Sequence, residues 1–137
     1  MTTSQNCPCH SGEAYAKCCQ PFIEGTAEPE KAIDLMRARY TAYTQKNVKF
    51  IRDTLWPPLQ KTMNEMEVRE WANETHWLTL DVLDAAKGSP QDKEGLVLFK
   101  AKFLARGQMY EHKELSLFRK KKDRWFYVEP LPLPNGV

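Results

Sequence analysis

Beyond residue 19 the sequence contains no cysteine: all four thiols lie between Cys7 and Cys19, and the 118 residues that follow carry none. That excludes a disulfide scaffold for the body of the chain, and thiols clustered in a reducing compartment point to metal. Long hydrophobic runs are also missing, since no stretch approaches the roughly 18 to 20 apolar residues of a membrane span. The opening MTTSQN lacks the charged and apolar regions of a secretory leader, so a cytoplasmic protein without a membrane is expected. Excess charge is absent as well, at a formal +2. Four thiolates with one divalent ion would bring it near zero, which leaves any attraction for nucleic acid to local patches. Neither an internal repeat nor a low-complexity block is present. What remains is 137 residues, 42% hydrophobic, enough for one domain with a modest core and a small appendage.

The periodicity changes once along the chain. From Glu30, apolar Ile33, Met36, Tyr40 and Tyr43 recur every three or four residues, the pattern of an amphipathic helix of about four turns. Asn47 can cap a shorter helix carrying Val48, Ile51 and Leu55, which Pro57-Pro58 stops. Asn64 with Glu67 three residues on marks a third helix through Val68 and Trp71. From Trp77 the period becomes two. Strands are expected over 77–84, 96–105, 109–119 and 124–129, with turns at 87–95, Gly107 and 120–123. The tail PLPLPNGV is expected to stay out of the sheet interior, because proline lacks an N–H donor. Helices followed by a meander predict an α+β fold: a small N-terminal zinc knuckle (1–21), a Gly, Pro and Glu-rich linker (22–30), and a body (31–137) of helices packed on one face of a curved antiparallel sheet.

The cysteine spacing is Cys7-x-Cys9, eight residues, then Cys18-Cys19. Zinc takes four N or S ligands in a tetrahedron, so a segment this short can enclose it only if the chain reverses between ligand pairs. Pro8, the Ser11-Gly12 turn and one helical turn over 13–17 suit that reversal. The alternatives are a Cys18–Cys19 disulfide, strained because adjacent Cα atoms stand about 3.8 Å apart, and His10 in place of one cysteine ligand. Four thiolates close the coordination shell, which makes the expected cofactor one structural zinc ion, with Cys7, Cys9, Cys18 and Cys19 as ligands.

The segment CPCHSGEAYAKCC resembles the SEC-C zinc motif of the preprotein translocase ATPase, whose four cysteines are the zinc ligands. The likeness rests on Cys7, Pro8, Cys9, Ser11, Gly12 and Tyr15 ahead of Cys18-Cys19. The motif usually has glycine where this chain has His10. LMRARYTAY (35–43), WLTLDVL (77–83), ELSLF (114–118) and RWFYVE (124–129) are similar to the YchJ-like family, bacterial proteins of unestablished function. That resemblance implies the cone-shaped fold of nuclear transport factor 2 for the body. Its members tend to place a histidine where this chain has Trp56.

Three functions compete on these residues. A non-catalytic adaptor would use the knuckle's His10, Glu13 and Lys17 to hold a protein partner, a chaperone or the ribosome by analogy with the translocase motif. A small-molecule or enzymatic cone would use a pocket on the third strand. There, alternation puts His112, Glu114, Ser116 and Phe118 on one face, with Tyr40 or Tyr43 able to point at them. An RNA binder would use Lys120, Lys121 and Lys122 beside Trp125, Phe126 and Tyr127. The adaptor is the expectation carried forward, with no catalytic residue assigned.

Overall fold

The longest helix owes its start to a turn more than fifty residues away. Helix α2 (Ala32–Thr44) has no side-chain cap at its N-terminus. The orphan N–H of Ala32 donates instead to the carbonyl of Gly88, at 3.0 Å. Gly88 takes a left-handed φ of +81°, which glycine adopts without strain, and stands against Gly95 across the turn. The computed structural model describes residues 5–135. Residues 1–4 and 136–137, the outer ends of the expected knuckle and tail, lie outside the described residues.

The element order is a 3-10 turn (Tyr15–Lys17), α1 (Gln20–Glu24), α2, α3 (Val48–Asp53), α4 (Pro57–Gln60), α5 (Glu65–Glu74), then β1 (Thr75–Lys87), β2 (Glu94–Ala105), β3 (Gln108–Lys121) and β4 (Arg124–Leu131). The four strands form one antiparallel sheet in the order β1-β2-β3-β4. The expected α+β class and its helices-then-meander order are therefore observed. Both asparagine caps form: Asn47 Oδ1 accepts from the N–H of Phe50 and Asn64 Oδ1 from that of Glu67. Among the described residues no helix is long and apolar enough to cross a membrane.

α2 lies across the sheet and buries Leu35, Met36, Ala38 and Tyr40 against Leu80, Val97, Ala101, Phe118 and Trp125. Cys7, Cys9 and Cys19 belong to that same cluster. The helix has the composition for the task, with Ala, Leu, Met and Arg throughout and no Gly or Pro.

Three local expectations are corrected. Pro57-Pro58 does not only end the preceding helix, which stops at Asp53; it opens α4, where the missing N–H is an orphan in any case. The expected linker over 22–30 begins inside α1, which ends at left-handed Gly25. Its far end is tied down, since Trp125 Nε1 donates to the Glu30 carbonyl at 2.9 Å and Arg124 pairs with Glu28. The tail does stay out of the sheet interior: Pro130, opposite Ser116, extends β4, which is an edge strand. That edge is partly covered where Trp56 N donates to the Tyr127 carbonyl and Tyr127 N to that of Thr54. Finally, β1 is longer than expected and carries two irregularities, at Trp77/Thr79 and Val82/Asp84.

Candidate functional site

The chain reverses around the cysteines by backbone bonds. Cys7 N donates to Glu13 O at 2.8 Å, Tyr15 N to Gln5 O at 2.8 Å, and a bridge joins Asn6 to Ala14. The 3-10 turn then delivers Cys18 and Cys19. His10 lies at φ +63°, the left-handed region that glycine favours, so the turn survives the substitution of the glycine usual in the SEC-C motif. The four Sγ atoms lie within 4.8 Å of one another, and His10 is not among the convergent ligands. Cys9 and Cys18 Sγ are 3.6 Å apart, Cys18 and Cys19 Sγ 3.9 Å. A tetrahedron of about 2.3 Å metal–sulfur bonds has edges of about 3.8 Å, so the donor set fits one metal ion. No disulfide is formed among them.

The electrostatics agree with that fit. Hydrogen bonding from Cys19 and the neighbouring hydroxyl and thiols outweighs burial and brings the Cys9 thiol down to about 4. Burial pushes Cys18 up to about 11, while the bond to Cys9, with burial, drives Cys19 far above the ordinary range. Four sulfurs this close concentrate one negative charge and resist more; a divalent cation is what lets all of them ionise. Ser11 Oγ, 3.3 Å from Cys18 Sγ, and Thr41 Oγ1, 3.7 Å from Cys7 Sγ, supply the surrounding polar contacts.

Helix α2 and its C-cap residue Gln45 hold the knuckle in place. Arg37 Nη1 donates to the Cys9 carbonyl at 3.0 Å, Gln45 Nε2 to Tyr15 Oη at 2.9 Å, and the His10 ring meets Tyr40 edge-on at 5.9 Å. The outward surface carries His10, Glu13 and Lys17, all exposed.

On the other side of Tyr40 is a cavity of about 380 Å³ between the helices and the concave sheet. Alternation on β3 does place His112, Glu114, Ser116 and Phe118 on its wall, and Tyr40 and Tyr43 of α2 face them. Trp77 is the hub of the aromatic lining, with ring centroids 5.1 Å from Phe103, 5.5 Å from Tyr40 and 6.1 Å from Tyr43. Eight of the thirteen lining residues are Phe, Tyr or Trp. The sequence reading missed two polar members. Arg39 is buried, its Nη1 donating to Ile51 O at 2.8 Å and Thr54 Oγ1 at 2.6 Å, with the guanidinium 4.7 Å over the Tyr127 ring. Tyr127 Oη in turn donates to Glu114 Oε2 at 2.7 Å. The available signal was register, because Leu35, Arg39 and Tyr43 repeat at four along α2.

Glu114 is the centre of a network: Oε1 meets His112 Nε2 at 2.9 Å, and Oε2 accepts from Ser116 Oγ at 2.6 Å as well as from Tyr127. Burial alone would push this carboxyl up, but hydrogen bonds from His112, Ser116 and Tyr127 outweigh it and hold it below the usual range. The hydrogen bond to Glu114 raises His112 above 6.5. The two contributions to stability have opposite pH signs. That of Glu114 is present above its unfolded pKa and is lost as pH falls through the depressed folded value; that of His112 is present below its unfolded pKa and is lost as pH rises through the elevated one. Glu114→Gln is therefore expected to bring the His112 pKa back toward or below 6.5. An NMR titration of the ring protons reads this directly, and an unchanged midpoint would contradict the pairing.

The basic turn is engaged locally. Lys120 Nζ donates to the Pro90 carbonyl at 2.7 Å and lies 4.9 Å over the Trp125 ring, and Arg119 pairs with Glu94 at 2.9 Å. Trp125 and Phe126 are buried, while Lys121 and Lys122 are exposed.

Comparison with known proteins agrees with this architecture. Residues 31–130 match the family model described as the middle NTF2-like domain of YchJ, and residues 4–21 match the SEC-C motif. A UPF0225 protein of Geobacter sulfurreducens is 39% identical over 90% of this chain and 76% of its own length. One from Haemophilus influenzae is 42% identical over 93% and 78%. The solution structure of a SEC-C motif-containing protein from Rhodopseudomonas palustris superposes with a TM-score of 0.86 at 33% identity, covering 95% of this chain and 100% of the other. The crystal structure of a second, from Psychrobacter arcticus, gives 0.80 at 28%, covering 97% and 85%.

Proposed function

This chain belongs to the YchJ-like family, the UPF0225 proteins, and carries an N-terminal SEC-C motif; from that premise we propose that it binds one zinc ion through Cys7, Cys9, Cys18 and Cys19 and acts as a non-catalytic adaptor. The observation that carries the reading is the convergence of four thiols, at spacings that suit a tetrahedral ion, held against α2. Thiolates select soft or borderline ions, and four of them leave no open position for a substrate, so the metal's work is structural. The fixed knuckle then offers His10, Glu13 and Lys17 to a protein partner, which by analogy with the translocase motif is a chaperone or the ribosome.

Metal analysis by mass spectrometry on protein purified without added zinc is expected to find about one zinc per chain, absent from Cys18→Ser. A zinc-free wild type with oxidised thiols would sink the metal reading. Co-sedimentation with ribosomes, comparing wild type with the His10→Ala, Glu13→Ala, Lys17→Ala triple variant, tests the partner face. Equal pelleting of both proteins would remove that face from any ribosome contact.

A second reading is favoured by the aromatic cavity, which is large enough for a small ligand and has one convergent polar network at Glu114. In this reading the cone domain binds a small molecule behind the knuckle.

A further inference from the structure

The cavity's contents can be narrowed by charge, shape and hydrogen bonding, on the premise of the second reading that it takes a ligand at all. Two fixed charges belong to its lining, the guanidinium of Arg39 and the carboxylate of Glu114, and Tyr127 connects them by accepting the first on its ring and donating its hydroxyl to the second. Their sum is zero. An ionised ligand would lose its hydration without meeting an uncompensated countercharge, which costs several kcal/mol in so apolar a setting. Neither an organic cation nor a carboxylate is matched.

Shape points the same way. Trp77 meets Phe103, Tyr40, Tyr43 and Trp71 through ring contacts between 5.1 and 6.4 Å, so flat faces bound the space. At about 380 Å³ the cavity is near the lower end of ligand pockets, and it admits roughly ten to twenty non-hydrogen atoms. Two buried polar atoms of the lining have no partner among the described residues, Tyr40 Oη and Trp77 Nε1, and His112 adds a ring nitrogen. With Glu114 ionised, Nε2–H of the neutral imidazole donates to Oε1, which leaves Nδ1 as a free acceptor. A hydroxyl group suits that set, since it can donate to the imidazole and accept from the Trp77 N–H or the Tyr40 hydroxyl.

We propose that the cone cavity binds an uncharged, flat aromatic alcohol, its rings against Trp77 and Phe103 and its hydroxyl donating to His112. Glu114 is a positioning residue in this arrangement, because it fixes the imidazole tautomer without touching the ligand. No bond is made or broken.

The test uses three probes of one shape and three charges on the intact zinc-loaded chain, at a pH above the His112 midpoint read by the NMR titration: 2-naphthol, 2-naphthoate and 2-naphthylmethylammonium. Binding is read by quenching of tryptophan fluorescence, with Trp71 and Trp77 both on the wall. The naphthol is expected to bind at least about tenfold tighter than either charged probe. His112→Ala, a change at a half-exposed position that should leave folding intact, is expected to weaken the naphthol about five- to tenfold, the share of one hydrogen bond. A charged probe binding as tightly as the naphthol would overturn the inference and leave the pocket reading standing. Naphthol affinity unmoved in His112→Ala would overturn the hydroxyl handle. Saturable binding by none of the three would overturn the inference and the second reading together.

Discussion

Replacing Cys9 with serine is expected to lower the melting temperature of the whole chain by about 10 to 15 °C, in a single transition, with loss of the metal. Three of the four clustered cysteines are 4% exposed or less and share the core with Leu35, Met36, Phe118 and Trp125. The knuckle and the body therefore present one continuous apolar interior. Serine at position 9 would break the ligand set and put a hydroxyl at a fully buried position in place of a thiol. Structural zinc contributes folding free energy outright, and buried polar groups without partners cost about 1–3 kcal/mol each. A combined loss of about 3–5 kcal/mol, at about 3 °C per kcal/mol for a chain of this size, gives the stated shift. Calorimetry with and without chelator checks it. Chelation should move the wild type toward the variant and leave the variant where it is. A variant whose main transition stays at the wild-type temperature, with only the first twenty residues losing protection from hydrogen exchange, would show that the knuckle is energetically separate.

Gly95→Ala is expected to cost about 2–3 kcal/mol, in the range of overpacked cores, although the substitution adds one methyl group. A Cβ at Gly95 would stand 2.7 Å from Gly88 Cα and 2.8 Å from Ala32 Cβ. Neither neighbour is the free end of a flexible chain. The first is backbone, in the turn that satisfies the N-terminus of α2, so relief of the clash would have to disturb the Ala32 N to Gly88 O bond as well. Gly12→Ala is the comparison: a Cβ there meets nothing within 4 Å, and only its φ of +89° resists a side chain. Urea denaturation of the two variants separates crowding from backbone strain. A Gly95→Ala midpoint equal to wild type would mean that the turn yields without cost.

Much of this fold was legible because its information is local. Period 3.6 over α2, period two over β2 and β3, and the asparagine caps at 47 and 64 each concern residues a few positions apart. Alternation alone found the His112, Glu114, Ser116 and Phe118 face. β1 defied the same rule. Trp77 and Leu80 differ in parity, so strict alternation separates them, yet the irregularity between Trp77 and Thr79 returns both to the concave side. Docking of the knuckle was illegible for a different reason. Arg37 reaches Cys9 over 28 positions and Thr41 reaches Cys7 over 34, contacts for which spacing gives no rule. The same holds for Arg39, whose position in an apolar register was visible but whose partners at Ile51 and Thr54 were not. A stretch rich in Gly, Pro and Glu reads as linker by composition, and the bond from Trp125 to Glu30 that pins it comes from 95 positions away.

The two ends of the sheet are finished differently, and neither is a flat open edge. β4 turns its outer side to Thr54–Trp56 and ends through Pro130, so an incoming strand finds donors already used or missing. β1, at the opposite end, breaks its ladder twice, which twists the row of free backbone groups away from the flat geometry that fibril growth copies. A sheet rich in valine, leucine and aromatic residues thus has little flat, unpaired backbone at either edge to offer an incoming strand.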